Sequence, residues 1–176
     1  RIARNFGDWQ MIPVLGIFYI YGYAFEDTKA KRASLLSLES FGISQMFVQI
    51  IKYTGHRHRP YTGHSPYEWN GPAIYSKDAY VSFPSAHSST AFSIWTMIAT
   101  EYADNKIVPP IAYSLAALTV WSRINDNMHW SSDVFAGSSI GYFTATSIWN
   151  SHSNKRDNGA FSVIPIINGK YAVLLA

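Results

Sequence analysis

A chain of 176 residues, 48% hydrophobic and 16% aromatic, is long enough for one buried core and too short for two ordinary domains. Its formal net charge of +3 is mild, and Lys and Arg follow no continuous face. That pattern argues against a nucleic-acid partner and leaves an anionic small ligand or an anionic membrane surface. With no cysteine, disulfides and thiolate metal sites are excluded.

The chain starts at Arg1-Ile2 without Met, as expected after removal of a leader. Residues 9–25, "WQMIPVLGIFYIYGYAF", form the first predicted helix. They are uncharged and could graze or cross a bilayer, but Gln10 and Pro13 interrupt them and the run falls short of roughly 18 apolar residues. A second helix is predicted over 30–55, where Glu39, Gln45 and Gln49 break the apolar stretch. Residues 61–83 mix Gly, Pro and aromatics without a period and read as a long, ordered, functional loop. A third helix, 86–103, is marked by Phe92, Trp95, Ile98 or Ala99, and Tyr102 at helical spacing, with Ser85 as its N-cap. Pro109 and Pro110 open a fourth over 109–125, where a missing N–H is tolerated. The fifth, 129–150, is diluted by Ser138, Ser139, Thr144, Thr146 and Ser147. These interruptions and a mean hydropathy of −0.04 favour a helical domain with a buried core, soluble or apposed to a membrane. Residues 151–159 read as a polar linker. Beyond them Asn168-Gly169 lies between two apolar runs and predicts a β-hairpin or extended tail, with Pro165 confining the first run to an edge. The expected division is a helical domain over 1–150 and a tail over 151–176.

Three short stretches carry the chemistry. "KYTGHRHRP" sets Lys52 ahead of Arg59-Pro60 with six residues between them. "PSAH" spans Pro84 to His87. "SRINDNMHWSSD" sets Arg123 ahead of His129 with five residues between them, and Asp133 after His129 with three between. In this order and at these intervals they resemble the signature of the type 2 phosphatidic acid phosphatase family, which includes lipid phosphatases, bacterial acid phosphatases and vanadium haloperoxidases. The motifs cover residues 45–135, and the helical pattern extends the likeness to about residue 150. The resemblance implies an all-α bundle of five or six helices with the site between the helix ends that carry the motifs.

Cleaving a phosphomonoester without a metal requires cations around the equatorial oxygens, an in-line nucleophile and an acid for the leaving group. Lys52, Arg59 and Arg123 are the candidate cations, the two arginines able to fork onto phosphate oxygens as lysine cannot. Ser85 offers a hydroxyl, and the amides near Ala86 and His87 open a helix whose dipole favours an anion. His129 and Asp133 share a face if both are helical, so that Asp133 can take the Nδ1 proton and leave Nε2 as nucleophile. His87 is then the general acid and, in the second step, the base that activates water; the resemblance implies the same roles. Taken singly, the His/Asp pair is more often a structural hydrogen bond, Arg123 a capping arginine and Ser85 an N-cap. Their joint order and spacing are what outweigh those readings. Many family members carry glycine where this chain has Ala86, which bears on fine geometry and not on the class.

His56, His58 and His64 match no motif position, and the His-x-His pair has no carboxylate pattern beside it to make a metal site, so no metal is expected. No cofactor is expected either, and vanadate should act as an inhibitor. Tyr67, Trp69, Tyr75, Tyr80 and Phe83 crowd the loop, where they either pack it down or hold an acyl chain at a membrane interface. The expected function is hydrolysis of a phosphate monoester, of a lipid in preference, through a phosphohistidine on His129. The expected place is outside the cytoplasm, in a bacterial periplasm or at a membrane. The alternatives are an acid phosphatase for soluble esters, a haloperoxidase holding vanadate on His129, and a decayed anion-binding module. Oligomeric state has no sequence signal.

Overall fold

A computed structural model describes residue 7, residues 10–73 and residues 77–157. The predicted hairpin at Asn168-Gly169 and the loop residue Tyr75 lie outside the described residues. Five helices follow in order: α1 (Met11–Ala24), α2 (Thr28–Gly55), α3 (Ala86–Glu101), α4 (Val108–Asn125) and α5 (Ser131–Asp157). Two 3-10 turns, Pro60–Thr62 and Asp78–Tyr80, sit in the loop between α2 and α3. Among the described residues there is no extended strand, only an isolated antiparallel bridge between Arg57 and Trp69.

Local chemistry sets the helix ends. Asp27 caps α2, its Oδ1 accepting from the Ala30 amide at 3.0 Å, and His56 ends that helix in the left-handed region at φ 51°. Ser85 caps α3 as its sequence position predicts, accepting from Ser88 N at 3.4 Å. Asn105 Oδ1 accepts from the amides of Ile107 and Val108 just ahead of the prolines that open α4. α5 runs on through 151–157, where the polar texture predicts a linker. Polar residues do not stop a helix that lacks Gly and Pro, and the first Gly after Trp149 is Gly159.

α3 lies in the middle, packed against α2, α4 and α5, while α1 packs on α2. The approach of α3 to α5 is close enough to need glycine. A Cβ on Gly137 would stand 2.3 Å from the Ser85 carbonyl oxygen, and one on Gly141 would stand 2.3 Å from that of Ser89.

The buried faces are built largely from small hydroxyl residues. Ser34, Ser37, Ser40 and Ser44 of α2 are buried, as are Ser88, Ser89, Ser93 and Thr96 of α3. Among the described residues the buried apolar side chains form two small clusters, Leu36, Met97, Ala145 and Ile148 in one, Met11, Leu15 and Ile94 in the other. Large apolar side chains point outward instead: Ile17 and Ile20 of α1, Ile50 of α2, Trp121 of α4, Phe135 and Phe143 of α5. This differs from the apolar interior expected from the sequence. Small and hydroxylated residues between helices, with large apolar ones outside, is the distribution that suits helices packed in lipid, where apolar burial drives no association. Among the described residues α2 is the one helix long and apolar enough to cross a bilayer by length and composition, and α1, at 14 residues, is shorter than a span.

Candidate active site

The end of α2, the start of α3, the end of α4 and the start of α5 meet at one pole of the bundle, together with the loops 56–85 and 126–130. Hydrogen bonds between these segments fix the pole. Ser85 N donates to the Asp133 carbonyl at 2.9 Å, and the amides of Met128 and His129 both fold back onto the Arg123 carbonyl at 3.1 and 3.3 Å. Asn127 permits that reversal by taking φ 54°, a conformation that asparagine tolerates better than most residues.

Three basic side chains from the motifs are buried here. Lys52, in the last turn of α2, donates to the Val81 carbonyl, a neutral partner. Arg59 lays its Nε and Nη2 on the Asp78 carbonyl and carboxylate at 2.8 and 2.7 Å, and its Nη1 on the Met128 carbonyl at 3.2 Å. Arg123, in the last turn of α4, pairs with Asp126 at 2.9 Å and reaches Ser122 Oγ at 3.3 Å. The carboxylates of Asp78 and Asp126 are 69% and 41% exposed, so water screens part of what they offset. Buried cations gathered at one pole in this way can receive an anion.

His129 is buried beside them. It precedes α5 and does not lie on it, so the expected sharing of a helix face with Asp133 does not hold. Its Nδ1 meets the Ser82 carbonyl at 2.8 Å, whereas Asp133 Oδ2 stands 3.8 Å away, beyond hydrogen-bond reach. A backbone carbonyl accepts only, so Nδ1 carries the proton and Nε2 keeps the lone pair of a neutral imidazole. Burial holds the His129 pKa down at about 4, helped by the charges of Arg59 and Lys52 and opposed by Asp133. The ring is therefore unprotonated at neutral pH.

Asp133 is occupied elsewhere. Its Oδ2 reaches back to the Trp130 amide at 2.9 Å, the capping contact of a third helical residue, and accepts from Ser82 Oγ at 2.5 Å. Its Oδ1 takes Arg57 Nη1 at 2.5 Å. Asp133 thus positions His129 through Ser82, whose carbonyl holds the imidazole while its hydroxyl is held by the carboxylate.

Arg57 and Ser82 are the residues that the sequence reading passed over. Arg57 sits in the same basic stretch as Lys52 and Arg59, which could have flagged it; its guanidinium also donates to the Pro66 carbonyl and Ser132 Oγ and lies over the rings of Trp69 and Trp130. Ser82 has no local signal. Ser85 is buried at the head of α3, accepting from Ser88 Oγ at 3.0 Å. Ala86 and His87, the first two residues of α3, are half-buried, and the Ala86 carbonyl accepts from Gln45 Nε2 at 3.3 Å. Of the loop aromatics, Trp69 packs on Phe83 with ring centroids 5.3 Å apart and Tyr80 on His58, whereas Tyr67 is 86% exposed.

Known proteins share this fold. The fold is that of a transmembrane PAP2-type phosphatidylglycerolphosphate phosphatase from Bacillus subtilis, with a TM-score of 0.64 at 19% identity over 86% of this chain and 74% of that one. LpxE of Aquifex aeolicus superposes with a TM-score of 0.58 at 21% identity, over 84% of this chain and 81% of that one. A lipid A 1-phosphatase of Porphyromonas gingivalis is 29% identical over 135 residues, 75% of this chain and 27% of that protein, so the chain spans about a quarter of that relative's length. Residues 33–157 match the family described as the PAP2 superfamily, and since they are most of the chain and contain all three motifs, the chain belongs to that superfamily.

Proposed function

We propose that the chain is a phosphatase for a membrane lipid bearing a phosphate monoester, working through a phosphohistidine on His129 and without a metal at the phosphate. The observation that carries this reading is the neutral, buried imidazole of His129, fixed through Nδ1 and placed among Lys52, Arg59 and Arg123. Nε2 attacks phosphorus; the P–N bond forms as the P–O bond to the lipid breaks. His87, as imidazolium, gives its proton to the departing alkoxide. Neutral His87 then takes a proton from water, which attacks phosphorus, breaks the P–N bond and releases inorganic phosphate. Lys52, Arg59, Arg123, the Ser85 hydroxyl and the amides at Ala86 and His87 spread the transferring charge.

Two features favour a lipid ester over a soluble one. The relatives named above include lipid phosphatases, and the outward apolar side chains on four helices suit a bundle seated in a bilayer. Tyr61 and Tyr67, both at least half exposed on the loop at the site pole, fit the headgroup level, where aromatic rings concentrate. The site then opens at the membrane surface on the side away from the cytoplasm. The test is phosphate release in EDTA from lipid phosphates, sugar phosphates, nucleotides and an aryl phosphate, with and without vanadate, whose five-coordinate form fits the same cations. Turnover led by lipid phosphates and blocked by vanadate is expected. Preference for a soluble ester, or turnover lost in EDTA by a variant that lacks the loop histidine His64, would overturn the reading.

A further inference from the structure

The loop that carries Arg57 and Arg59 also holds a cluster with no part in phosphate chemistry. Between the two arginines lies His58, 6% exposed, its ring packed between those of His64 at 4.1 Å and Tyr80 at 4.6 Å. His58 Nε2 stands 3.2 Å from Asn70 Oδ1, and its Nδ1 is buried without a hydrogen-bond partner. His64 Nδ1 meets Glu68 Oε2 at 2.7 Å. One ring nitrogen of each histidine and one oxygen of Glu68 lie within 4.8 Å of one another.

With Nε2–H donated to Asn70, His58 Nδ1 is a bare lone pair in a dry place, an arrangement that costs free energy unless something fills it. The outer hydrogen bond to Asn70 is the kind that fixes the tautomer of a metal-bound histidine. Two imidazoles and a carboxylate are the donor set of a borderline divalent cation, and the proton shared by His64 and Glu68 stands where such an ion would replace it. Ligand atoms around a tetrahedral zinc lie about 3.3 Å apart, given bonds of about 2.0–2.2 Å. His64 and Glu68, 46% and 50% exposed, have the freedom to close that gap.

We propose that His58, His64 and Glu68 bind a zinc-class divalent ion, with His58 Nδ1 as the buried ligand and water completing the shell. The ion joins the outgoing limb of the loop to the returning one, which already meet where His58 N donates to the Glu68 carbonyl at 3.4 Å and at the Arg57–Trp69 bridge. It thereby holds Arg57 and Arg59 in place from outside the site, and it uses none of the groups assigned to the phosphate.

The test takes the full chain in detergent micelles, stripped with EDTA and desalted, then titrated with zinc, and with cobalt for its visible absorption. One equivalent per chain and a metal-dependent rise in melting temperature are expected. His64→Ala and Glu68→Gln should each weaken zinc binding by at least about 10-fold, and Asn70→Ala by a smaller factor. Binding should fade as the pH drops through the imidazole range. Because His64 and Glu68 are half exposed, the metal-free variants should melt like the metal-free parent, which separates lost ligation from lost folding. Failure to bind either ion stoichiometrically, or parental affinity in both variants, would overturn the proposal. Phosphatase activity of His64→Ala, expected to persist, keeps this outcome separate from that of the catalytic reading.

Discussion

Arg57 and Asp133 form an ion pair across 76 residues of sequence, Nη1 to Oδ1 at 2.5 Å, with both side chains buried. The pair ties the loop after α2 to the first turn of α5, the two segments that flank His129. Removing one partner strands the other charge away from water. Arg57→Ala is therefore expected to lower stability by about 3–5 kcal/mol. Arg57→Lys keeps the charge but not the fork that reaches Pro66, Ser132 and Asp133 together, and should recover only part of the loss. Chemical denaturation in detergent measures both; an Arg57→Ala midpoint equal to that of the parent would show that the pair contributes nothing.

Asp133 has a less direct hold on His129 than its spacing implies. Since the Ser82 carbonyl takes the Nδ1 proton, Asp133→Asn leaves the tautomer intact. What it removes is a charge-assisted bond from Arg57 and from the Ser82 hydroxyl, each of a kind worth about 1.5–3 kcal/mol, so turnover should fall roughly 10- to 10²-fold. That is far less than the roughly 10⁴-fold loss seen when a carboxylate directly fixes a catalytic histidine's tautomer. Ser82→Ala, which keeps the carbonyl, should lose less still. Steady-state kinetics on a lipid phosphate decide, and a loss near 10⁴-fold in Asp133→Asn would mean that the carboxylate itself holds the imidazole during turnover.

The depressed pKa of His129 has two consequences with pH. In the folded chain the ring stays neutral down to about 4, so the nucleophile alone would set an acid limb there and not near the ordinary value of 6.5. In the unfolded chain the same ring takes a proton near 6.5. Between pH 6.5 and 4 the unfolded state binds more protons, so the stability that buried neutral His129 permits is present above 6.5 and is lost as the pH falls through that window. Melting curves from pH 8 to pH 4, compared with those of His129→Gln, should show a shallower acid slope in the variant. Parallel slopes would place the titrating group elsewhere.

The five helices and the three motifs were legible because each rests on local information: helical spacing around Phe92 and Trp95, a serine N-cap, prolines in a first turn, and fixed short intervals between charged residues. Ser82 was not legible because its role comes from contacts 47 and 51 residues away, with His129 and Asp133. The placement of His129 failed for a related reason. A spacing of four implies a shared face only inside a helix, and the side chain of Asp133, reaching back to the Trp130 amide, is part of what starts α5 after His129. The hydroxyl residues misled in a different way. Averaged along the chain they lower the hydropathy and argue against lipid, but folded they turn inward, Ser34, Ser37, Ser40 and Ser44 of α2 and Ser88, Ser89 and Ser93 of α3 all being buried, and leave the apolar side chains on the outside.

The two histidines of the site can be separated by how much help the leaving group needs. On the proposed mechanism His129→Ala removes the nucleophile, and turnover of every substrate should vanish. On the same mechanism His87→Ala removes proton transfer alone. A lipid alkoxide needs that proton as it departs, so its phosphorylation step should slow by roughly 10²- to 10⁴-fold, the usual contribution of general acid catalysis. Nitrophenolate leaves without one. With nitrophenyl phosphate the His87→Ala variant should still phosphorylate His129 and then stall, since water has lost its base, giving a burst of nitrophenol and a phosphoenzyme that is labile in acid and stable in base. Rapid-mix kinetics and phosphopeptide mapping on the parent and both variants read these steps directly. A burst in His129→Ala, or label on His87 in the parent, would reverse the two roles and move the nucleophile from the turn before α5 to the first turn of α3.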